Sequence, residues 1–352
     1  MDKGEQRRIR ELQVWAKGVA KSSVRPILFS SLMVLMGVKL GQQVLHHIDA
    51  PTAFRISADS QIQSNSLGVS APDLSIAEAF SEPDNRKVTY ETLTLPKSIV
   101  HVVRVPAQAP VLIRPAIVDE GLEKLETLAQ REGAIAAING GFFDPNNQLT
   151  TSYVTMDGET VLDPRDNTGL MENLNVAIYI DRILNRSEFR RYQCSTEDGP
   201  QATYTITAHD QLTPFHCDLV DALGAGPALL PQFRGEDEAF LDAINGRDAL
   251  GSNLPNARSA IGLTPDGTIV LAMAAQRADV SDRSGLSLFE LADVMASLGV
   301  DQALNLDGGS SSGLYYDGTT YYGRLDADNN VIKRSVKSVL LVLPAASPDL
   351  GQ

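Results

Sequence analysis

Apolar positions recur at every second residue over much of this chain, the period of a strand with one buried face. Val88 to Leu95 places Val88, Tyr90, Thr92 and Thr94 on one side, and Ile99 to Val105 is a β-branched run; both predict strands. Further strands are expected at 134–138, 176–180, 203–207, 228–230, 257–263, 303–306, 313–316 and 336–343. Pro265-Asp266-Gly267 reads as a hairpin turn into another strand at 268–274. Two stretches switch to a helical period. Residues 120–131 carry Leu122, Leu125 and Leu128 on one face, with Gly133 as a stop. Ser287 and Glu290 read as a capping box that opens a helix with the stripe Leu288, Leu291, Ala292, Met295 and Leu298, ended by Gly299.

The two helices are followed by the same order of events. Each meets a glycine, then a short apolar strand, then a polar residue and a Gly-Gly pair: Asn139-Gly140-Gly141 in one case and Asp307-Gly308-Gly309 in the other. This is either a weak internal repeat or two uses of one local solution. In both readings the polar strand ends are able to converge on one site, as ligand sites often do. The pattern as a whole predicts an α+β fold: a mixed β-sheet core with a few packed helices, in a single domain over 87–346.

The N-terminal part follows another grammar. Residues 1–25 carry seven basic and three acidic side chains, and an apolar run from Pro26 to Val38 follows. A basic head before an apolar run reads as a signal peptide or signal anchor. The run is shorter than a full span of roughly 20 residues, although Lys39 is able to snorkel and extend it. Residues 1–45 are therefore expected to be a cytoplasmic head and anchor. Basic residues stay on the cytoplasmic side, so the rest belongs on the periplasmic or extracellular side, whether anchored or secreted. Residues 46–86 have no sustained period and read as a linker, with one short helix at 75–80.

Composition narrows the function classes. Of 352 residues 43% are hydrophobic and 21% charged, enough apolar material for a sizeable core. A net charge of −14 argues against nucleic acid as the partner. Cys194 and Cys217 are the only cysteines. In an exported domain they are expected to pair as a disulfide, the alternative being two separate buried thiols. His209 and His216 lack metal-ligand spacing and receive no role.

The densest candidate chemistry is Asn305-Leu306-Asp307-Gly308-Gly309-Ser310-Ser311-Ser312. A carboxyl ends a strand beside a loop of small residues rich in N–H and O–H donors, which suits an anionic or sugar ligand. A plain Gly-Ser hairpin turn is the other reading. In order along the chain, Asn139-Gly140-Gly141-Phe142-Phe143, Gly226-Pro227, Ala257-Arg258-Ser259-Ala260-Ile261-Gly262, Glu290-Leu291-Ala292 and the Asp307 stretch together resemble the phosphodiester glycosidase family. The likeness spans roughly residues 90–345. Members of that family include a lysosomal hydrolase and bacterial proteins of exopolysaccharide biosynthesis. Two positions depart from the family's habit: Ala275-Gln276-Arg277 stands where a Gly-Arg turn is frequent, and Ser310 where a third glycine is. Both bear on sugar specificity more than on the class of reaction.

The resemblance implies hydrolysis of a sugar-1-phosphodiester at the anomeric carbon, on an envelope or extracellular glycan. It needs no cofactor; a metal requirement stays open. Such chemistry asks for a carboxylate at the anomeric centre and for a cation or donor cluster at the phosphate. Asp307 is the first choice for the carboxylate and Glu290 a possible second, although its capping role alone would explain it. Arg258 is the choice for the phosphate clamp, since a guanidinium fork matches phosphate. Asn139, Gly140, Gly141, Gly308, Gly309, Ser310 and Ser311 are the remaining candidates for substrate contact. Asp144, before Pro145, reads first as a turn former. Two other functions stay in view: a non-catalytic module binding anionic glycan during polymer export, and a metal-dependent phosphodiesterase cutting P–O.

Overall fold

Many of the apolar strands alternate between two buried surfaces. In the strand Ser338–Pro344 (β18), Leu340 and Val342 enter one apolar cluster while Val339 and Leu341 enter another. In Ile269–Gln276 (β14), Leu271 and Met273 share the first cluster with Leu340, and Val270 and Ala272 turn to a third. A strand buried on both faces lies inside a layered stack. The computed structural model describes residues 86–280 and 284–345. The expected anchor over 1–45, the linker and its short helix at 75–80 lie outside the described residues, Arg86 excepted. Among the described residues no helix is long and apolar enough to cross a membrane.

The layers are two stacked sheets with a helix on each outer face. The first sheet has six strands. Thr89–Thr94 (β1) and Ser98–Val105 (β2) form one edge; β14 and Arg258–Leu263 (β13) follow; Gln302–Asn305 (β15) and Ala228–Leu230 (β10) close the other edge. The second sheet has five, in the order Thr319–Tyr322 (β17), Gly313–Tyr316 (β16), Ala136–Asn139 (β4), β18 and Val111–Ile117 (β3). Between them pack Val103, Ile261, Leu271, Met273 and Leu304 from the first sheet and Ile138, Leu314, Leu340 and Val342 from the second. Helix Leu125–Arg131 (α1) covers the outer face of the second sheet through Leu125 and Leu128. The helix Leu288–Ser297 covers the first sheet through Leu288, Leu291 and Met295, all fully buried. Burial of each such side chain is worth roughly 1.5–3 kcal/mol, so Met295→Ala would remove a large share of that helix's attachment.

A third sheet lies beside the stack: Glu159–Leu162 (β6), Val154–Met156 (β5), Cys217–Gly224 (β9), Ser187–Thr196 (β7) and Gly199–Ala208 (β8). A two-stranded ribbon, Leu241–Asp242 (β11) with Arg247–Asp248 (β12), completes the set. Every pairing is antiparallel. The fold is α+β with strands predominating, and the expected core resolves into several antiparallel sheets. Cys194 and Cys217 sit directly opposite each other on β7 and β9 and form a disulfide, with S–S 2.01 Å.

Two elements differ from the periodicity reading. Residues 176–180 are not a strand. They form a short turn of helix, Ala177–Tyr179, that runs into Ile180–Leu184 (here α3, after the single turn Thr168–Met171, α2). Tyr179 and Ile183, four apart, are the buried pair, and Ile178 lies exposed; helical spacing wins over the β-branched run. Helix α1 starts at Leu125 rather than at 120, because Glu123 is pulled into a main-chain bridge with Val336, its N–H donating at 3.1 Å and its carbonyl accepting at 2.7 Å. The helix over 288–297 is the fourth, α4. Its expected capping box is present: Glu290 N–H donates to Ser287 Oγ at 3.1 Å, and Ser287 N–H to the Glu290 carboxylate at 2.8 Å.

Candidate active site

Strand β4 of one sheet and β15 of the other end at the same side of the stack, and their glycine turns meet. Asp307 N–H donates to the Gly140 carbonyl at 3.0 Å. Asn139 Nδ2 donates to the Asp307 carbonyl at 2.7 Å. The two look-alike motifs thus face each other across the sheet interface.

Asn139 is fully buried and its side chain is spent on the scaffold. Its Oδ1 accepts from Ser259 Oγ at 2.7 Å and from Gly313 N–H at 3.1 Å. One side chain therefore ties β4, β13, β15 and β16 together. The glycines beside it allow backbones to touch. A Cβ on Gly140 would stand 2.3 Å from Ser338 Oγ and 2.8 Å from its main chain, and one on Gly141 would stand 2.2 Å from the Gly224 carbonyl. No larger residue fits either place.

The Asp307 turn is built differently. The carboxyl accepts from Gly308 N–H at 2.9 Å. It sits deep among neighbouring atoms yet keeps some contact with solvent. Burial pushes it up to about 6, against the opposing pull of Ser311, Arg334 and the Gly308 N–H. Ser311 Oγ lies beside it without a closed hydrogen bond, and the buried Ser312 hydroxyl also has no partner among the described residues. Gly309 has φ +60°, the left-handed region that favours glycine, with no contact nearer than 3.6 Å to its would-be Cβ. This turn leaves polar groups open where the other consumes them.

The remaining candidates separate. Arg258 is near, with Nη1 3.9 Å from the Gly308 Cβ position, but its guanidinium is engaged by main-chain carbonyls. Nε donates to Leu286 O at 3.2 Å, Nη1 to Leu250 O at 3.1 Å, and Nη2 to Gly251 O and Leu254 O at 2.9 and 3.0 Å. Burial lowers it to about 10, with Asp248 opposing. It anchors the loop at 250–254, and these carbonyls occupy four of the donors that its expected role as phosphate clamp would use. Glu290 is likewise committed: Ser287 N–H is the chief reason its carboxyl lies below the usual value, and no recorded contact brings it to Asp307. Its carboxylate serves as the cap of α4. Asp144 accepts from Asn146 N–H at 2.8 Å as a turn former. His209 Nδ1 lies 2.6 Å from the buried Glu188 carboxyl, away from the Asp307 turn. Among the described residues no group of three His, Cys, Asp or Glu converges as a metal site would require.

Three residues at the turn were not singled out from sequence. Arg334 Nη1 donates to Ser310 Oγ at 2.9 Å, and its guanidinium lies 5.0 Å from the Phe143 ring centroid. Arg324 Nη1 donates to Asn256 Oδ1. The Asn256 amide in turn is what a Gly309 Cβ would first meet. Both arginines stand after β17, one on each side of a segment of turn residues, Leu325 to Lys333, which carries no periodic signal. Their one sequence mark is local cationic charge close to the Asp307 stretch in an acidic chain.

The chain belongs to the phosphodiester glycosidase family, whose model matches residues 132–343. Among solved structures it is similar to the catalytic domain of zebrafish N-acetylglucosamine-1-phosphodiester alpha-N-acetylglucosaminidase, auto-inhibited by its pro-peptide. That likeness has 17% identity and a TM-score of 0.52, and covers 73% of this chain and 82% of that one; it speaks for the fold. A hypothetical protein from Synechocystis matches at 20% identity and a TM-score of 0.49, over 73% of this chain and 62% of that one, less than two thirds of its length. A search of curated proteins gave no significant match.

Proposed function

We propose that this protein hydrolyses a sugar-1-phosphodiester at the anomeric carbon, with Asp307 as the catalytic carboxyl. The observation that carries this reading is a single strand-end carboxyl, raised to about 6, beside the Ser311 and Ser312 hydroxyls in a turn that two arginines address. Family membership supports the reaction class. In the ionised state Asp307 takes a proton from a water that adds to C1. The C1–O bond breaks, its electron pair leaves on the phosphate oxygen, and the products are a reducing sugar and a phosphomonoester. A phosphate leaves with little protonation, so one carboxyl near neutrality suffices (contrast the paired carboxyls of ordinary glycosidases). The Cys194–Cys217 bond supports an exported protein acting on an envelope or extracellular glycan.

The test is to incubate purified protein with methyl and aryl phosphodiesters of N-acetylglucosamine-1-phosphate and related sugars in ¹⁸O-water. Label is expected in the sugar. Label in the phosphate would instead establish P–O cleavage, and binding without turnover would establish a glycan-binding module.

A further inference from the structure

The Asp307 turn is flanked by two cations, one of which, Arg334, acts electrostatically on the Asp307 carboxyl. Neither Arg324 nor Arg334 forms an ion pair among the described residues, whereas Arg104, Arg114, Arg131, Arg165, Arg190, Arg191, Arg234 and Arg277 all do. Arg182, Arg186, Arg247 and Arg258 also lack an ion pair but donate to main-chain carbonyls; in a chain of net charge −14, Arg324 and Arg334 instead donate to side chains, and both address the same turn. Arg334 meets it at Ser310; Arg324 meets it through Asn256, beside Gly309. They reach it from the two limbs of one excursion between β17 and β18. Ile332 N–H donates to the Arg324 carbonyl at 2.8 Å, and Leu325 bridges to Val331, so the limbs stay side by side. Each guanidinium has five N–H donors and uses one in these bonds. The Phe143 ring against Arg334 holds that group by a cation–π contact that consumes no donor. A further mark is Ser311, buried to 3% exposure, whose hydroxyl turns to the Asp307 carboxyl and has no other partner among the described residues. Gly309, whose Cβ position meets only the Asn256 amide at ordinary contact distance, keeps the main chain between the two arginines free of a side chain.

We propose that Arg324 and Arg334 together hold the phosphate of the substrate, that Ser310 is the positioning residue for Arg334, and that this pair makes the site select a phosphodiester over a neutral glycoside. The assignment rests on the hydrolase reading above. Two separate guanidinium groups are able to take the two non-bridging oxygens of a diester, one each, and leave the bridging oxygen directed at the sugar and Asp307. Ser310 supplies a hydroxyl that fixes one guanidinium, so its removal loosens Arg334 without touching the reacting atoms.

The experiment has a binding arm and a kinetic arm. Inorganic phosphate is titrated into the full-length protein and followed by ³¹P NMR line broadening, for the parental chain and for Arg324→Gln, Arg334→Gln and the Lys versions of each; circular dichroism checks that each is folded. Each Gln substitution is expected to weaken phosphate binding at least tenfold and each Lys substitution less. In the kinetic arm, Ser310→Ala is expected to raise KM for a methyl sugar-1-phosphodiester severalfold with kcat nearly unchanged, and the matching neutral methyl glycoside should not be hydrolysed. Phosphate binding that is unchanged in both Gln variants, or absent from the parental protein, overturns the assignment. Hydrolysis that persists with unchanged KM in those variants also sinks the pair while leaving the hydrolase reading intact. Phosphate binding that depends on both arginines without any sugar release has the opposite meaning: the pair stands and the hydrolase reading falls.

Discussion

Asn139-Gly140-Gly141 and Asp307-Gly308-Gly309 end strands in two different sheets, meet through hydrogen bonds, and serve opposite purposes. In the first, every polar atom of the asparagine is used and both glycines are demanded by backbone contact. In the second, a carboxyl is held above its ordinary value, the Ser312 hydroxyl lacks a partner among the described residues, and the positive-φ glycine meets only the Asn256 amide at ordinary contact distance. The first turn is the anvil on which the second is held. A buried polar group that is fully bonded rigidifies; one left open costs free energy unless a ligand completes it. The difference between scaffold and chemistry here lies in which polar atoms remain unpartnered, since the sequence grammar of the two turns is the same.

Substitutions that treat the turns alike should therefore give unlike results. The largest loss of stability is expected for Gly140→Ala, about 3 kcal/mol or more, because the new methyl meets the Ser338 main chain. Asn139→Ala should cost nearly as much, about 3 kcal/mol, since it strands the buried Ser259 hydroxyl and Gly313 N–H. Urea denaturation reads both. Equal stability for Asn139→Ala and the parental chain would erase the contrast. Gly309→Ala should cost only about 1 kcal/mol, the strain of a left-handed residue whose methyl meets no clash.

Asp307→Asn is expected to move stability the other way, by about 1–2 kcal/mol at pH 7.5. The folded carboxyl lies at about 6, above its ordinary 3.8. Its contribution is thus fully present below pH 3.8 and is lost as pH rises through 6. A neutral amide escapes that loss. The gain should fade when the melting curves are repeated at pH 4, and a gain that persists there would point to a packing cause instead.

Much of this organisation was legible in the sequence, for identifiable reasons. The period-2 runs at β2, β13, β14 and β18 were clear because their side chains are apolar and β-branched, and α4 was clear because its capping box and stripe agree. Strands β7 and β9 were not called: they carry Glu188, Arg190, Arg191 and Asp221, which are buried through ion pairs and so read as solvent-facing. In the candidate site, the meeting of the two glycine turns followed from local pattern. The roles of Arg258 and Glu290 did not, because sequence shows a side chain's donors and acceptors and not what occupies them. Arg258 looked available until four carbonyls were found around it. Arg324 and Arg334 were missed for the converse reason. They lie in a turn-rich excursion, and only the tertiary fold brings it against Gly309 and Ser310.

The claim that the open turn performs the chemistry is tested most directly by the pH dependence of kcat/KM on a sugar-1-phosphodiester, measured for the parental protein and for Asp307→Asn. A base must be ionised to act, so the parental rate should rise with pH through an apparent pKa of about 6. The Asn variant should lose that limb and about a hundredfold or more in rate while remaining folded. A variant that keeps the parental rate, or that keeps the same acidic limb, would contradict the assignment of Asp307.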